Sequence, residues 1–206
     1  NVADKKNMTF TDYLRMRFKG ILDTIGSFLN HLGLKPNTIT FLGLIGNAIG
    51  AYLLARGLIV WGGVVILLMG PLDALDGTMA RLRGENSTFG AFIDSVTDRY
   101  SELIIFLGLL IFYMQKDDLT AIALVYLAAA GSVMVSYVKA RAEALGFEAK
   151  VGLLTRVERY LVLVPALIFN LPIIGLWILA IFTNITAVQR FVHVRSQAKN
   201  QLNALK

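Results

Sequence analysis

The sequence predicts an all-α integral membrane protein, with about six transmembrane helices preceded by an N-terminal amphipathic juxtamembrane helix. Three observations predict it. Of 206 residues, 56% are hydrophobic and only 17% are charged, against about a quarter charged in a typical soluble domain; mean hydropathy is +0.63. Apolar runs close to the ~20 residues needed to cross a bilayer recur along the chain. The basic residues fall almost entirely on alternate connections between those runs.

The first ten residues, NVADKKNMTF, are polar, and no signal peptide is expected there. From Thr9 to His31 apolar and basic residues alternate, which reads as a helix lying in the membrane interface. Thr38–Ala55 is the first expected span, and its small residues Gly43, Gly46 and Gly50 would let a neighbouring helix approach. Gly57–Arg81 and Phe89–Met114 are the second and third, joined by a short polar link from Leu82 to Phe89. Leu119–Val138 is the fourth. Leu153–Phe169 and Ile173–Gln189 are the fifth and sixth, split by Asn170–Pro172. Trp61 and Trp177 read as interfacial anchors. The chain is expected to be one domain, 1–206: a tail and juxtamembrane helix over 1–36, a six-helix catalytic bundle over 37–190 and a cytoplasmic tail over 191–206.

Of the 20 Lys and Arg, only Arg56 and Lys116 fall on the side of the membrane opposite the rest. That bias places both termini in the cytoplasm. It also assigns the net charge of +6 to membrane edges rather than to nucleic acid. On this topology the Asn86 sequon is cytoplasmic and carries no glycan. The chain has no cysteine and only two histidines, His31 and His193. Thiol chemistry, disulfides and Cys-based metal sites are excluded, and little remains for a zinc site or a His-based triad.

The segment DALDGTMARLRGENSTFGAFIDSVTD holds four aspartates where one apolar run ends and the next begins. At about 100° per residue, Asp73, Asp76, Gly77 and Ala80 share one helix face, and Gly90, Asp94 and Asp98 share another. Ionised carboxylates at membrane depth are costly and normally pair or bind cations. Local cations are too few, since only Arg81 is close in sequence, so a metal is expected. All-oxygen ligation suits Mg²⁺ or Mn²⁺. Four carboxylates could hold two ions, as two-metal phosphoryl-transfer sites do.

The residues Asp73, Asp76, Gly77, Ala80, Arg81, Gly90, Asp94 and Asp98 complete the pattern D-x-x-D-G-x-x-A-R, eight residues, G-x-x-x-D-x-x-x-D. This resembles the signature of the CDP-alcohol phosphotransferases. The six-span layout and KPNTIT before the first span, similar to a P-[ND]-x-x-T entry, extend the resemblance over nearly the whole chain. The resemblance implies transfer of a phosphatidyl group from a CDP-linked lipid, CDP-diacylglycerol or CDP-archaeol, to an alcohol, with release of CMP. It implies that Asp73, Asp76 and Asp94 ligate metal and hold the donor diphosphate. Gly77, Ala80 and Arg81 would lie against the cytidine end of the donor, and Gly90 would also be on the donor side. Asp98 would be the general base, also touching the second metal. It further implies a homodimer in the plasma membrane of a prokaryote, with the active site facing the cytoplasm.

Ser136, Lys139, Arg156, Arg159 and Arg190 form a second, basic constellation. Spacing alone suits either a phosphate pocket or ordinary positive-inside residues and lipid-headgroup contacts. SYVKARAE, TRVER and VQR resemble the acceptor side of phosphatidylinositol-phosphate synthases. That implies a phosphate pocket built from these five residues and a phosphorylated polyol acceptor, inositol phosphate. TRVER keeps the arginines of the bacterial pattern E-R-P-E-R but not its leading Glu or its Pro. Glycerol 3-phosphate or another phospho-alcohol is the alternative acceptor. Membrane prenyl transfer would need two Asp-rich sites, where this chain has one. A divalent-cation transporter would need polar residues further through the bilayer than these aspartates reach.

Overall fold

The structure is a computed structural model that describes residues 10–84, 87–149 and 151–204. Lys5, Lys6, Lys150, Lys206 and Asn86 lie outside the described residues. Among those described there are seven α-helices and no strand: α1 Phe10–His31, α2 Pro36–Ala55, α3 Ile59–Arg83, α4 Thr88–Met114, α5 Leu119–Ala144, α6 Arg156–Ile168 and α7 Pro172–Ala204. The protein is an all-α membrane protein, as the composition predicts.

Local chemistry sets the boundaries. α2 starts on Pro36, whose ring pre-sets the first helical turn. It ends at Gly57, which takes φ 78°. There Leu58 N–H donates to Leu53 O at 2.9 Å and Gly57 N–H to Leu54 O at 2.9 Å, which satisfies the last carbonyls. The expected break at Asn170–Pro172 has the same form. Asn170 adopts φ 56°, Leu171 N–H returns to Ala166 O at 2.7 Å, and Pro172 opens α7. Asp118 caps α5 by accepting from Ala121 N–H at 2.9 Å.

Among the described residues, four helices are long and apolar enough to cross a membrane: Pro36–Ala55, Ile59–Arg83, Leu119–Ala144 and Pro172–Asn203. The other two expected spans differ. α4 has the length but carries Asp94, Asp98 and Arg99 in its first half and Glu102 just past its middle. α6 begins at Arg156 rather than Leu153, because Gly152 takes φ 127° and Leu154 N–H is drawn to Thr186 Oγ1 at 3.1 Å. Its 13 residues make about 20 Å of helix, short of a ~30 Å hydrocarbon core. α7 runs on as helix to Ala204 where a tail was expected, since residues 191–204 hold neither Gly nor Pro.

The chain packs as two compact units. One comprises the chain up to Asn47 with Ile66–Ser101; the other comprises Ala48–Val65 with the chain from Glu102 onward. The first unit has a core of Ile39, Leu75 and Met79, with Leu22, Leu29, Leu34 and Leu72 packed on it. α1 thus buries one apolar stripe and leaves another, Ile21, Ile25 and Phe28, exposed. That second stripe suits the interfacial role read from the sequence. In the first unit α2 meets α3 at Gly46, where a Cβ would stand 2.0 Å from Met69 Sδ.

The second unit is built on equally close crossings. A Cβ on Gly108 of α4 would lie 2.3 Å from the backbone oxygen of Ala51 in α2. α5 lies along α7, with Gly131 against Thr183 and Asn184 Nδ2 donating to Leu127 O at 3.1 Å. Because backbone cannot yield as a side-chain tip can, Gly108→Ala should destabilise the protein by about 1–3 kcal/mol. Thermal unfolding in detergent should show a melting point lower by several degrees; an unchanged Tm would contradict the tight crossing.

Candidate functional site

In the first unit a cavity of about 700 Å³ opens where the start of α2, the end of α3 and the start of α4 meet. Pro36, Asn37 and Thr40 line it from α2, with Lys35 before them. Asp76, Gly77, Ala80 and Arg83 line it from α3, and Gly90, Ala91 and Asp94 from α4. Five of the eight motif positions therefore face one space. The small residues leave that space open: a Cβ on Gly77 would meet nothing within 4 Å.

Each carboxylate has its own setting. Asp76 is 6% exposed. Its Oδ2 accepts from Thr40 Oγ1 at 2.5 Å and its Oδ1 from Gly77 N–H at 2.5 Å. Asp73 is half-buried and lies against α2, where a Cβ on Gly43 would be 3.3 Å from its Oδ1. Asp94 is half-buried and on the cavity wall. Asp98 is buried, at 8% exposure, and does not line the cavity; nor do Asp73 and Arg81. Arg81 is exposed and donates through Nη2 to Thr78 Oγ1 at 2.9 Å. Gly90 N–H donates to Ser87 Oγ at 2.9 Å, the cap of α4.

In kind this donor set fits a hard divalent cation: four carboxylates, no soft ligand, and oxygen donors only. Among the described residues no three acidic or histidine side chains converge closely enough to hold an ion as they stand. Asp76 and Asp94 share the cavity, so they are the pair best placed to hold one.

Sequence reasoning missed the strap that closes the α1–α2 corner of this unit. Arg83 Nε donates to Asn30 Oδ1 at 2.7 Å and its Nη2 to Leu34 O at 2.6 Å, while Asn30 Nδ2 reaches Met79 O at 3.3 Å. In the sequence Arg83 counts among the basic residues of one membrane side or as an ion-pair partner for the aspartates. Its partners are some fifty residues away in sequence, so no local signal could have shown them. Thr40 did carry a signal, as the Thr of the P-N-x-x-T entry.

The basic residues belong to the second unit. Lys139 Nζ is 3.8 Å from Glu143 Oε1, both side chains nearly half exposed, a solvated pair of small worth. Ser136 Oγ donates to Ser132 O at 3.2 Å, and Arg156 is half-buried at the start of α6. Thr155 donates to Glu158 within that first turn. Arg159 is 2% exposed and forms a bidentate pair with Glu102, Nε to Oε1 at 2.7 Å and Nη2 to Oε2 at 2.9 Å. Arg190, at 4% exposure, donates to Val151 O at 2.8 Å and to Val135 O at 2.6 Å. Glu102 was also missed, although it continues the Gly90, Asp94, Asp98 spacing by one more step of four.

Comparison with known proteins bears on both sets. Residues 34–192 match the CDP-alcohol phosphatidyltransferase family model. The chain is 37% identical to a phosphatidylinositol phosphate synthase of Streptomyces avermitilis, covering 90% of this chain and 82% of that protein. It is 34% identical to an archaetidylinositol phosphate synthase of Pyrococcus horikoshii, covering 89% and 96%. Among solved structures, the phosphatidylinositol phosphate synthase of Mycobacterium tuberculosis with CDP-DAG bound aligns with TM-score 0.78 at 33% identity, over 84% of this chain and 93% of that one. The same enzyme in complex with manganese and citrate aligns with TM-score 0.79 at 32% identity, over 84% and 88%.

The strap yields a prediction that stands apart from chemistry. Arg83→Ala removes charge-assisted hydrogen bonds to Asn30 and Leu34 and should cost about 1–3 kcal/mol. Arg83→Lys should not restore it, because a point charge cannot span the two acceptors. Thermal unfolding of both variants checks this; wild-type stability in either would contradict it.

Proposed function

Because the chain belongs to the CDP-alcohol phosphatidyltransferase family, we propose that it transfers the phosphatidyl group of a CDP-linked lipid to inositol phosphate and releases CMP. The observation that carries this reading is the complete Asp/Gly/Ala/Arg motif, with Asp76, Gly77, Ala80, Gly90 and Asp94 on one cavity wall. The inositol phosphate acceptor is supported by what the bacterial and archaeal relatives are named for. CDP-diacylglycerol or CDP-archaeol would be the donor. Family membership selects this enzyme reading over the transporter.

Asp73, Asp76 and Asp94 would hold two divalent ions, Mg²⁺ or Mn²⁺, together with Asp98. When bound, such ions neutralise charge on the donor diphosphate. Thr40 and the Gly77 amide keep both oxygens of Asp76 oriented, and a pre-oriented ligand loses little freedom on binding. Gly77, Ala80, Arg81 and Gly90 would admit and hold the cytidine end of the donor. Asp98 takes the proton of the acceptor hydroxyl. The hydroxyl oxygen bonds to the lipid-bearing phosphorus, and the bond from that phosphorus to the oxygen retained by CMP breaks. Ser136, Lys139, Arg156, Arg159 and Arg190 would bind the acceptor phosphate. We assign the chain, as a single catalytic domain with a six-helix bundle and as a homodimer, to a prokaryotic plasma membrane. The basic-residue bias supports an active site on the cytoplasmic side.

The direct test is CMP release from CDP-diacylglycerol by purified protein with Mg²⁺. Inositol 1-phosphate should support release where free inositol does not. Release with glycerol 3-phosphate alone would overturn the acceptor and keep the reaction.

Two variants separate folding from chemistry. Gly77→Ala adds a methyl in open space, so Tm should hold while affinity for the CDP-lipid falls. Asp98→Asn should lower turnover by about 10²–10⁴-fold and leave donor binding largely intact. Wild-type donor affinity in the first, or wild-type turnover in the second, would contradict these roles.

A further inference from the structure

Arg159 and Glu102 form a bidentate side-chain ion pair. The arginine side chain is 3% exposed and the glutamate 18%. α6 brings the arginine from its first turn, and α4 brings the glutamate. A buried ion pair is a weak source of stability, because desolvation offsets most of its attraction, and apolar replacements are often as stable. What such a pair does supply is orientation. A guanidinium is a planar fork with five N–H donors, and Glu102 occupies the edge formed by Nε and Nη2. The plane of Arg159 is thereby fixed, and the Nη1 edge is directed away from the carboxylate. Arg190 is held comparably, by the main-chain oxygens of Val135 and Val151, whereas Lys139 is held only by a solvated contact.

We propose that Glu102 is the positioning residue for Arg159, holding the guanidinium so that its remaining donors receive the phosphate of the acceptor. The inference rests on the acceptor reading of Arg159 given above and adds a residue outside the basic set. An arginine with a free side chain loses rotamer freedom when it is ordered. One ordered in advance does not lose it on binding. Glu102 touches neither donor nor acceptor in this account. Its effect passes through Arg159 and should appear in acceptor affinity alone.

The test is a set of variants read in three ways: KM for inositol 1-phosphate (glycerol 3-phosphate if that acceptor supports release), KM for CDP-diacylglycerol, and Tm in detergent. Glu102→Gln is isosteric and removes the charge and one of the two accepted hydrogen bonds. It should raise the acceptor KM about tenfold and leave the donor KM unchanged. Arg159→Ala should raise the acceptor KM at least as much. Adding Glu102→Gln to Arg159→Ala should raise it no further, because the two act as one unit. A lowered Tm and kcat with wild-type acceptor KM in Glu102→Gln, beside a raised KM in Arg159→Ala, would overturn the positioning role and keep the acceptor pocket. A wild-type acceptor KM in Arg159→Ala would overturn both. If Glu102→Gln does not fold, Glu102→Asp retains the charge but withdraws the carboxylate, and the same KM split decides.

Discussion

The structure depends on how carboxylates are tolerated at the ends of apolar helices. Asp73, Asp76, Asp94 and Asp98 stand in α3 and α4, helices that are otherwise strongly apolar. Ionised groups in such positions are costly unless paired, hydrogen-bonded or bound to cations. The protein meets part of that cost itself: Thr40 and the Gly77 amide each hold one oxygen of Asp76. On the proposed function, the rest would fall to divalent ions and the diphosphate they bind. This accounts for carboxylates kept together where folding alone would favour apolar side chains.

Around that constraint, the first unit is organised to keep a cavity open. Pro36 fixes the start of α2, so that Asn37 and Thr40 face the aspartates. Ser87 caps α4 just ahead of Gly90. Arg83 ties the end of α3 to Asn30 and Leu34, which holds the α1–α2 corner. The second unit follows a different rule. It gains rigidity from close crossings at Gly108, against the Ala51 backbone, and at Gly131, against the Thr183 side chain, and holds Arg159 and Arg190 with partners already in place. On the proposed function, one unit would gather anions with metal, and the other would present fixed cations.

Much of this was legible in the sequence, and for physical reasons. Helix chemistry is local, so the Asn170–Pro172 break and the facing small and acidic residues of α3 and α4 could be read from spacing. The start of α6 could not. Leu153–Thr155 is apolar enough for a helix, yet Leu154 N–H is drawn off by Thr186, a contact made only in the folded chain. The same holds for the charges. Lys and Arg can be counted onto one side of a membrane, but a count does not show that Arg159 faces Glu102, 57 residues away. Motif spacing likewise shows that Asp76 shares a helix face with Asp73, Gly77 and Ala80, not that it is buried or that Thr40 orients it.

The measurement that tests the central claim most directly is the affinity of the purified protein for CDP-diacylglycerol as a function of free Mg²⁺, with no acceptor present. If divalent ions and the diphosphate together offset the aspartates, binding should rise with Mg²⁺ and be lost in excess chelator. Equal affinity with and without the metal would contradict the account, since the four carboxylates would then repel the donor with nothing between them.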